Sequence, residues 1–256
     1  MSEAHRPIKT LERVISKAGI GSRTEARRWI GMGRVKVNGR LVRTPDHWVD
    51  LERDVVTLDD KPVRARRRIY LVLYKPKGYI TSYGDPQRRP TVYHLIAGLG
   101  EFVVPVGRLD QDSSGLLLMT NDTAFAEFIM NPDHQVPKTY LVKAATLLTD
   151  DQLEQLRRGV DLDDGPTRPT EVRRIRDSRK HTFLEMTVRE GRYHEVRRML
   201  DAVGSRALKL VRTAIGPLAI GKLEIGRYRE LTPEEVKSLV PGQRKRRPPK
   251  GRPPAP

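Results

Sequence analysis

Cysteine is absent from all 256 residues, which removes disulfides, thiolate metal sites and cysteine nucleophiles together and fits a reducing, intracellular compartment. Long apolar runs are missing too. The opening residues, MSEAHRPIKTLERV, hold no apolar core of the ~7–15 residues that a secretory leader needs, and no later stretch approaches the ~18 that span a bilayer. The chain is therefore expected to be soluble and cytoplasmic. Acidic residues are few beside the basic ones: 32 Asp and Glu against 49 Lys and Arg, a net charge of +17. An excess of that size favours a polyanionic partner, because each phosphate neutralised by Lys or Arg releases condensed counterions. The stretch 241–256, PGQRKRRPPKGRPPAP, carries six of the basic residues, so most of the excess lies elsewhere. This Pro-rich tail cannot build a core and is expected to be disordered.

A chain that is 37% hydrophobic and 32% charged at this length supports one substantial core and a small second one, so two unequal domains are expected. Ile8, Leu11, Val14, Ile15 and Ala18 recur at intervals of three and four, the period of a helix that Gly19 closes. In GSRTEARRWIGMG, Ser22 and Glu25 stand three apart as in a capping box and start a second helix ending near Gly31 to Gly33. RVKVNGRLV then alternates apolar and basic residues about Asn-Gly, the strongest short hairpin signal. The exposed positions here, Arg23, Arg27, Arg28, Arg34, Lys36 and Arg40, are basic. Two small helices followed at once by such a hairpin resemble the S4-like RNA-binding domain, whose second helix and hairpin form a basic RNA-facing groove. The resemblance runs from Ile8 to Val63 and assigns 1–63 to that domain. A DNA-reading helix-turn-helix is the rival for the helices, but an immediate Asn-Gly hairpin fits it poorly.

Residues 64–68, RARRR, read as an exposed basic linker. Beyond it, IYLVLYKPKGYI is a buried-strand pattern broken by Pro76 and Gly78. GLLLMT, KTYLVKA, TEVRRIRD and HTFLEMTVRE read as strands. Asp122 to Met130, Thr149 to Arg158 and HEVRRMLDAVG read as helices, the last closed by Gly204. The fold class expected for 69–240 is α+β on a mixed, largely antiparallel sheet.

Four stretches of this second region stand out: KPKG (Lys75 to Gly78), GRLD (Gly107 to Asp110), KTY (Lys138 to Tyr140) and EGRYHEVRRM (Glu190 to Met199). Singly each is weak, since Gly-Arg-Leu-Asp is also an ordinary turn with an Asx hydrogen bond. In this order, behind the N-terminal module, they resemble the pseudouridine synthases, in the branch that acts on ribosomal RNA and carries an S4-like domain. The resemblance covers the chain apart from its tail. It implies isomerisation of uridine: the C1′–N1 bond breaks, the base turns, and a C1′–C5 bond forms. There is no net redox change, so neither cofactor nor metal is called for. The six histidines show no metal spacing, and no phosphate-cradling glycine loop is present.

The resemblance makes Asp110 the catalytic nucleophile, suited to bond covalently and leave again. Arg197 becomes its buried cationic partner, with a bidentate guanidinium that orients the carboxylate; Arg198, about 100° around the helix, is the alternative. Tyr140 is expected to stack on the target base and to help remove the C5 proton, unless it is wholly structural, and Lys138 supports the site. Arg108 is the side chain expected to fill the place of an extruded base, although it could simply pair with a carboxylate or phosphate. KPKG buttresses the catalytic loop or touches the RNA backbone, with Lys75 counted among the RNA contacts. Leu210 and Arg212 line the pocket, and His194 is read as structural.

SYGDPQRRPTVYHLI (Ser82 to Ile96) resembles the subgroup that modifies the large subunit, so the expected substrate is 23S ribosomal RNA or an assembly intermediate containing it. A synthase acting on 16S ribosomal RNA or tRNA, and a non-catalytic RNA-binding assembly factor, remain the alternatives. The expected form is a monomer with no membrane contact.

Overall fold

Ser22 and Glu25 close the capping box that their spacing predicts: the Ser22 hydroxyl accepts from the Glu25 amide, and the Glu25 carboxylate accepts from the Ser22 amide. In the computed structural model, which describes residues 8–63 and 67–240, this corner belongs to the first of two units, which divide at Arg67/Arg68. Residues 64–66 of the expected linker and the tail from 241 lie outside the described residues.

The first unit runs β1 (Ile8–Thr10), α1 (Leu11–Lys17), α2 (Arg23–Gly31), β2 (Val35–Val37), β3 (Arg40–Leu41), β4 (Trp48–Asp50), β5 (Val56–Leu58) and β6 (Lys61–Pro62). Asn38 and Gly39, at φ +51 and +78, turn β2 into β3, the left-handed pair that Asn-Gly adopts readily. Leu11, Ile15, Ala26, Ile30 and Val35 are fully buried and form the core with Val49. One expectation fails: Ile8 does not start a helix. Ile8–Thr10 pairs antiparallel with β4 instead, a ladder some forty residues distant that local periodicity cannot reveal.

The second unit runs β7 (Tyr70–Lys75), α3 (Val92–Leu95), β8 (Val104–Pro105), β9 (Ser114–Thr120), α4 (Thr123–Met130), β10 (Lys138–Ala144), α5 (Asp150–Arg158), β11 (Asp161–Leu162), β12 (Gly165–Pro166), β13 (Glu171–Asp177), β14 (Thr182–Val188), α6 (Glu195–Ala202), β15 (Ala207–Ile215), β16 (Leu218–Ala219), β17 (Tyr228–Glu230) and α7 (Pro233–Leu239). Its main sheet has the order β13-β14-β10-β15-β9-β7-β17. All its pairings are antiparallel except β15 with β9. The unbroken apolar run of β9 reflects burial on both faces. Leu116 and Leu118 pack with Phe125 and Ile129 of α4, whereas Leu117 and Met119 pack with Val92 and Ile96. A third cluster joins β10, β13 and β14 to α5 and α6. The loop entering β9, the start of β10, the middle of β15 and the N-terminus of α6 thereby converge on one place.

Candidate active site

Asp110 lies in the loop between β8 and β9, and that loop is clamped by its backbone. The Thr81 hydroxyl donates to the Leu109 carbonyl at 2.8 Å and accepts from the Leu109 amide at 3.2 Å. The Gly78 amide donates to the Gln111 carbonyl at 2.8 Å. Arg212, 5% exposed, donates through Nε to the Leu116 carbonyl at 2.8 Å and through Nη1 to the Arg108 carbonyl at 3.3 Å.

Lys75 completes the clamp from inside, and here an expectation is corrected. Placed among the RNA contacts by sequence, it is fully buried. Its Nζ donates to the carbonyls of Ser113, at 2.8 Å, and Pro76, at 3.1 Å. β7 is enclosed on both faces, so its last side chain has no route to solvent, and Lys75 serves as the buttress. Burial pulls the Lys75 ammonium down to about 8, and attraction to Asp110 works against that shift.

Around Asp110 the partners differ from the simple fork. Arg197 Nε lies 3.8 Å from Asp110 Oδ2, while its two terminal nitrogens donate to Ser113 Oγ and the Ala207 carbonyl, both at 3.3 Å. Ser113, itself fully buried, turns its hydroxyl to Asp110 Oδ2 at 3.4 Å. The guanidinium is thus shared among three acceptors and makes no bidentate pair. Arg198 is engaged elsewhere: it forks onto Asp164 at 2.7 and 3.1 Å, where Arg192 joins it, and the two cations hold that carboxyl far below the usual range. Arg197 is therefore the arginine of this pair that faces Asp110.

His194, read from sequence as structural, sits in the site instead. Its Nε2 is 3.3 Å from Asp110 Oδ1, and its ring stacks on the exposed Tyr193 with centroids 3.9 Å apart. The residue caps α6 in a left-handed conformation, φ +50. A signal was available, because His194 falls in the same GRYHEVRRM run as Arg197, three residues before it.

Asp110, Ser113 and His194 open onto a cavity of about 390 Å³, within the usual range for a small-molecule site. Tyr140 and Arg212 are register partners on β10 and β15, so they line it from one sheet face, with Lys138 and Leu210 two places along their strands. Burial, helped by Arg212, lowers the Lys138 pKa, and Glu195 opposes the shift. Glu195, 5% exposed, accepts from the amides of Gly191 and Arg192 at 2.8 and 3.1 Å, yet burial raises its pKa. Arg212 Nη2 has no hydrogen-bond partner among the described residues. Arg108 is exposed at the cavity and forms no ion pair among them. A carboxylate on one wall, a phenol nearby and donors converging between them can hold a flat polar ring and attack the carbon bonded to it.

In the first unit the expected basic surface is partly neutralised. Arg27 pairs with the buried Glu12, Arg34 forks onto Asp59, and Lys36 meets Asp60 at 2.5 Å. Arg23, Arg28 and Arg40 are exposed and carry no ion pair among the described residues.

Residues 69–202 match the RNA pseudouridylate synthase family, and residues 10–56 match the S4 domain. The chain belongs to the RNA pseudouridylate synthase family. It is 41% identical over 230 residues to an uncharacterised RNA pseudouridine synthase of Aquifex aeolicus (strain VF5), covering 90% of this chain and 92% of that protein. It is 37% identical over 234 residues to the ribosomal large subunit pseudouridine synthase B of Bacillus subtilis (strain 168), covering 91% and 96%. A solved pseudouridylate synthase shares its fold with a TM-score of 0.63 at 31% identity, over 90% of this chain and 99% of the other. The chain is thus a pseudouridine synthase with an S4 RNA-binding domain, and its chemistry is the isomerisation of uridine in RNA. The matched catalytic segment holds Asp110, Tyr140 and Arg197, whereas Leu210 and Arg212 on β15 lie beyond it.

Proposed function

We propose that this synthase isomerises a uridine of the large-subunit, 23S ribosomal RNA with Asp110 as nucleophile. The observation that carries the assignment of Asp110 is its position: a carboxylate on a backbone-clamped loop at the cavity wall, between His194 and Arg197. Attack on C1′ breaks the C1′–N1 bond and releases uracil as an anion still held in the cavity. The base turns, C5 attacks C1′, and the ester to Asp110 opens. The C5 proton is lost and N1 gains one, so atoms and electrons balance without a redox partner. Tyr140, on β10 of the same sheet, stacks on the ring and helps carry the C5 proton; Lys138 and Arg212 donate to the base. Arg197 offsets the charge on Asp110 as the carboxylate is released. The alternative glycal route, in which the carboxylate takes a proton from C2′, uses the same placement.

A stacked uridine cannot reach Asp110, so it must leave the helix at a cost of a few kcal/mol. Arg108, exposed beside the cavity, enters the vacancy. Arg23, Arg28 and Arg40 of the first unit, which carry no ion pair among the described residues, grip phosphates of the RNA backbone. Support for the large subunit comes from the Bacillus subtilis relative. The test is carbodiimide mapping of pseudouridine in unmodified 16S and 23S ribosomal RNA and in unmodified tRNA after incubation with the purified protein. A single new site in 23S RNA is expected; a site in 16S RNA or tRNA alone would contradict the substrate assignment.

A further inference from the structure

Tyr83, Tyr93 and Phe102 form a ring cluster outside the cavity. Tyr83 meets Tyr93 edge to face with centroids 5.1 Å apart and Phe102 likewise at 5.5 Å, while Tyr93 and Phe102 lie nearly parallel at 6.2 Å. Tyr83 is 74% exposed and Phe102 51%, a large open π surface in a chain that is only 5% aromatic. Burial does not explain this placement; a flat partner stacking from solvent does.

The segment that carries Tyr83 is built to hold its shape. Arg89 forks onto Asp85 at 2.7 and 3.0 Å, and Asp85 also accepts from the Arg89 amide at 2.8 Å. The Ser82 hydroxyl donates to the Gly84 carbonyl at 2.6 Å. Ile80 and Val92 are tied by backbone bonds across the segment's base, and the Tyr93 hydroxyl donates to the Val103 carbonyl at 3.1 Å. The segment is also fastened to the loop of Asp110, since the paired bonds between Thr81 and Leu109 fall two residues before Tyr83 and one before Asp110. Two residues of chain span at most ~7 Å, so the rings lie close beside the catalytic loop. Arg88 in the same segment is exposed, at φ +56, with no ion pair among the described residues. Aromatic faces interleaved with free cations are the arrangement that holds unpaired nucleotides, the rings taking the bases and the cations the phosphates.

We propose that Tyr83, supported by Tyr93 and Phe102, stacks an unpaired nucleobase of the substrate RNA that flanks the target uridine, with Arg88 on the adjoining phosphate. The proposal rests on the RNA substrate assigned above. By capturing a neighbour of the extruded uridine, the platform fixes the register in which the strand meets Asp110 and favours targets in loops or bulges.

The test compares the full-length wild type with Tyr83→Leu, Tyr83→Trp and Phe102→Leu under single-turnover conditions on protein-free, unmodified ribosomal RNA. The protein concentration that gives half-maximal rate and the rate at saturation are read separately, and unfolding midpoints check that each variant is folded. Tyr83→Leu should raise the half-saturating concentration about ten-fold, as expected for loss of one base stack, with the saturating rate within about three-fold. Tyr83→Trp should restore binding, and its added indole should be quenched by the RNA beyond any quenching of the wild type. Unchanged half-saturation in both leucine variants, or an indole at 83 that the RNA leaves unquenched, would overturn the stacking platform. A wild type that converts no uridine would overturn the proposed function instead, and the quenching arm would still decide on stacking.

Discussion

Lys75 shows how a single charge can be used without touching a ligand. Its ammonium is enclosed, donates to one carbonyl of the Asp110 loop, Ser113, and to that of its own neighbour Pro76, and is attracted to Asp110. Its proton leaves at about 8 in the folded protein against an ordinary 10.5. Between those values the unfolded chain holds more protons than the folded one, so the stability contribution of Lys75 rises with pH across that window and is least favourable below it. Unfolding midpoints of wild type and Lys75→Met should therefore shift in the wild type's favour as pH rises from 8 towards 10.5. A pH-independent difference would show that the ammonium is not desolvated. The neighbouring arginines separate as sharply. Arg197→Ala, which removes the cation nearest Asp110, should lower the single-turnover rate by about 10²-fold or more. Arg198→Ala should leave it within a few-fold, because Arg198 belongs to Asp164. Equal losses in the two variants would contradict the geometry.

Among the elements, the parallel junction of β9 and β15 does the most to assemble the site. Only two residue pairs join them, Val211 with Ser114 and Arg212 with Gly115. Gly115 has φ +117, and a Cβ there would fall 2.5 Å from the Arg212 amide nitrogen. Gly115→Ala should therefore destabilise the second unit by about 3 kcal/mol and reduce activity further by displacing Arg212 from the Arg108 carbonyl; calorimetry and turnover check the two effects. A fully stable, active variant would refute this view of the junction. The same junction marks where sequence reading stops. The Asn38-Gly39 hairpin, the Ser22–Glu25 cap and the strand Lys138–Ala144 were legible because their signals lie within a few residues. Asp110, Tyr140 and Arg197 were legible only as a set of motifs in order. β15 was read merely as pocket lining, since its pairing with β9 spans about a hundred residues. The strand at Ile8 was missed for a similar reason, its partner lying forty residues on. Lys75 was misplaced because a lysine in sequence looks like a surface charge until both faces of β7 are seen covered. His194 was read as structural because Asp110, Arg197 and Tyr140 already supplied the chemistry, and its meeting with Asp110 is a long-range contact.

At the scale of the whole molecule the charge of +17 predicts RNA binding that weakens steeply with salt. The free and paired cations of the first unit divide the effect. Arg28→Ala should reduce the slope of log affinity against log salt by about 0.8, the share of one phosphate contact. Arg27→Ala should leave the slope nearly unchanged and instead lower the unfolding midpoint, because it strands the buried Glu12. Identical slopes for Arg28→Ala and the wild type would remove Arg28 from the RNA surface. Single-turnover pseudouridine formation on unmodified ribosomal RNA, with wild type and Asp110→Asn at matched RNA occupancy, decides whether Asp110 performs the isomerisation. The wild type should convert one uridine, while Asp110→Asn should bind within about three-fold as tightly, losing no phosphate contact, and convert none. Conversion by Asp110→Asn at a rate near that of the wild type would contradict catalysis by Asp110.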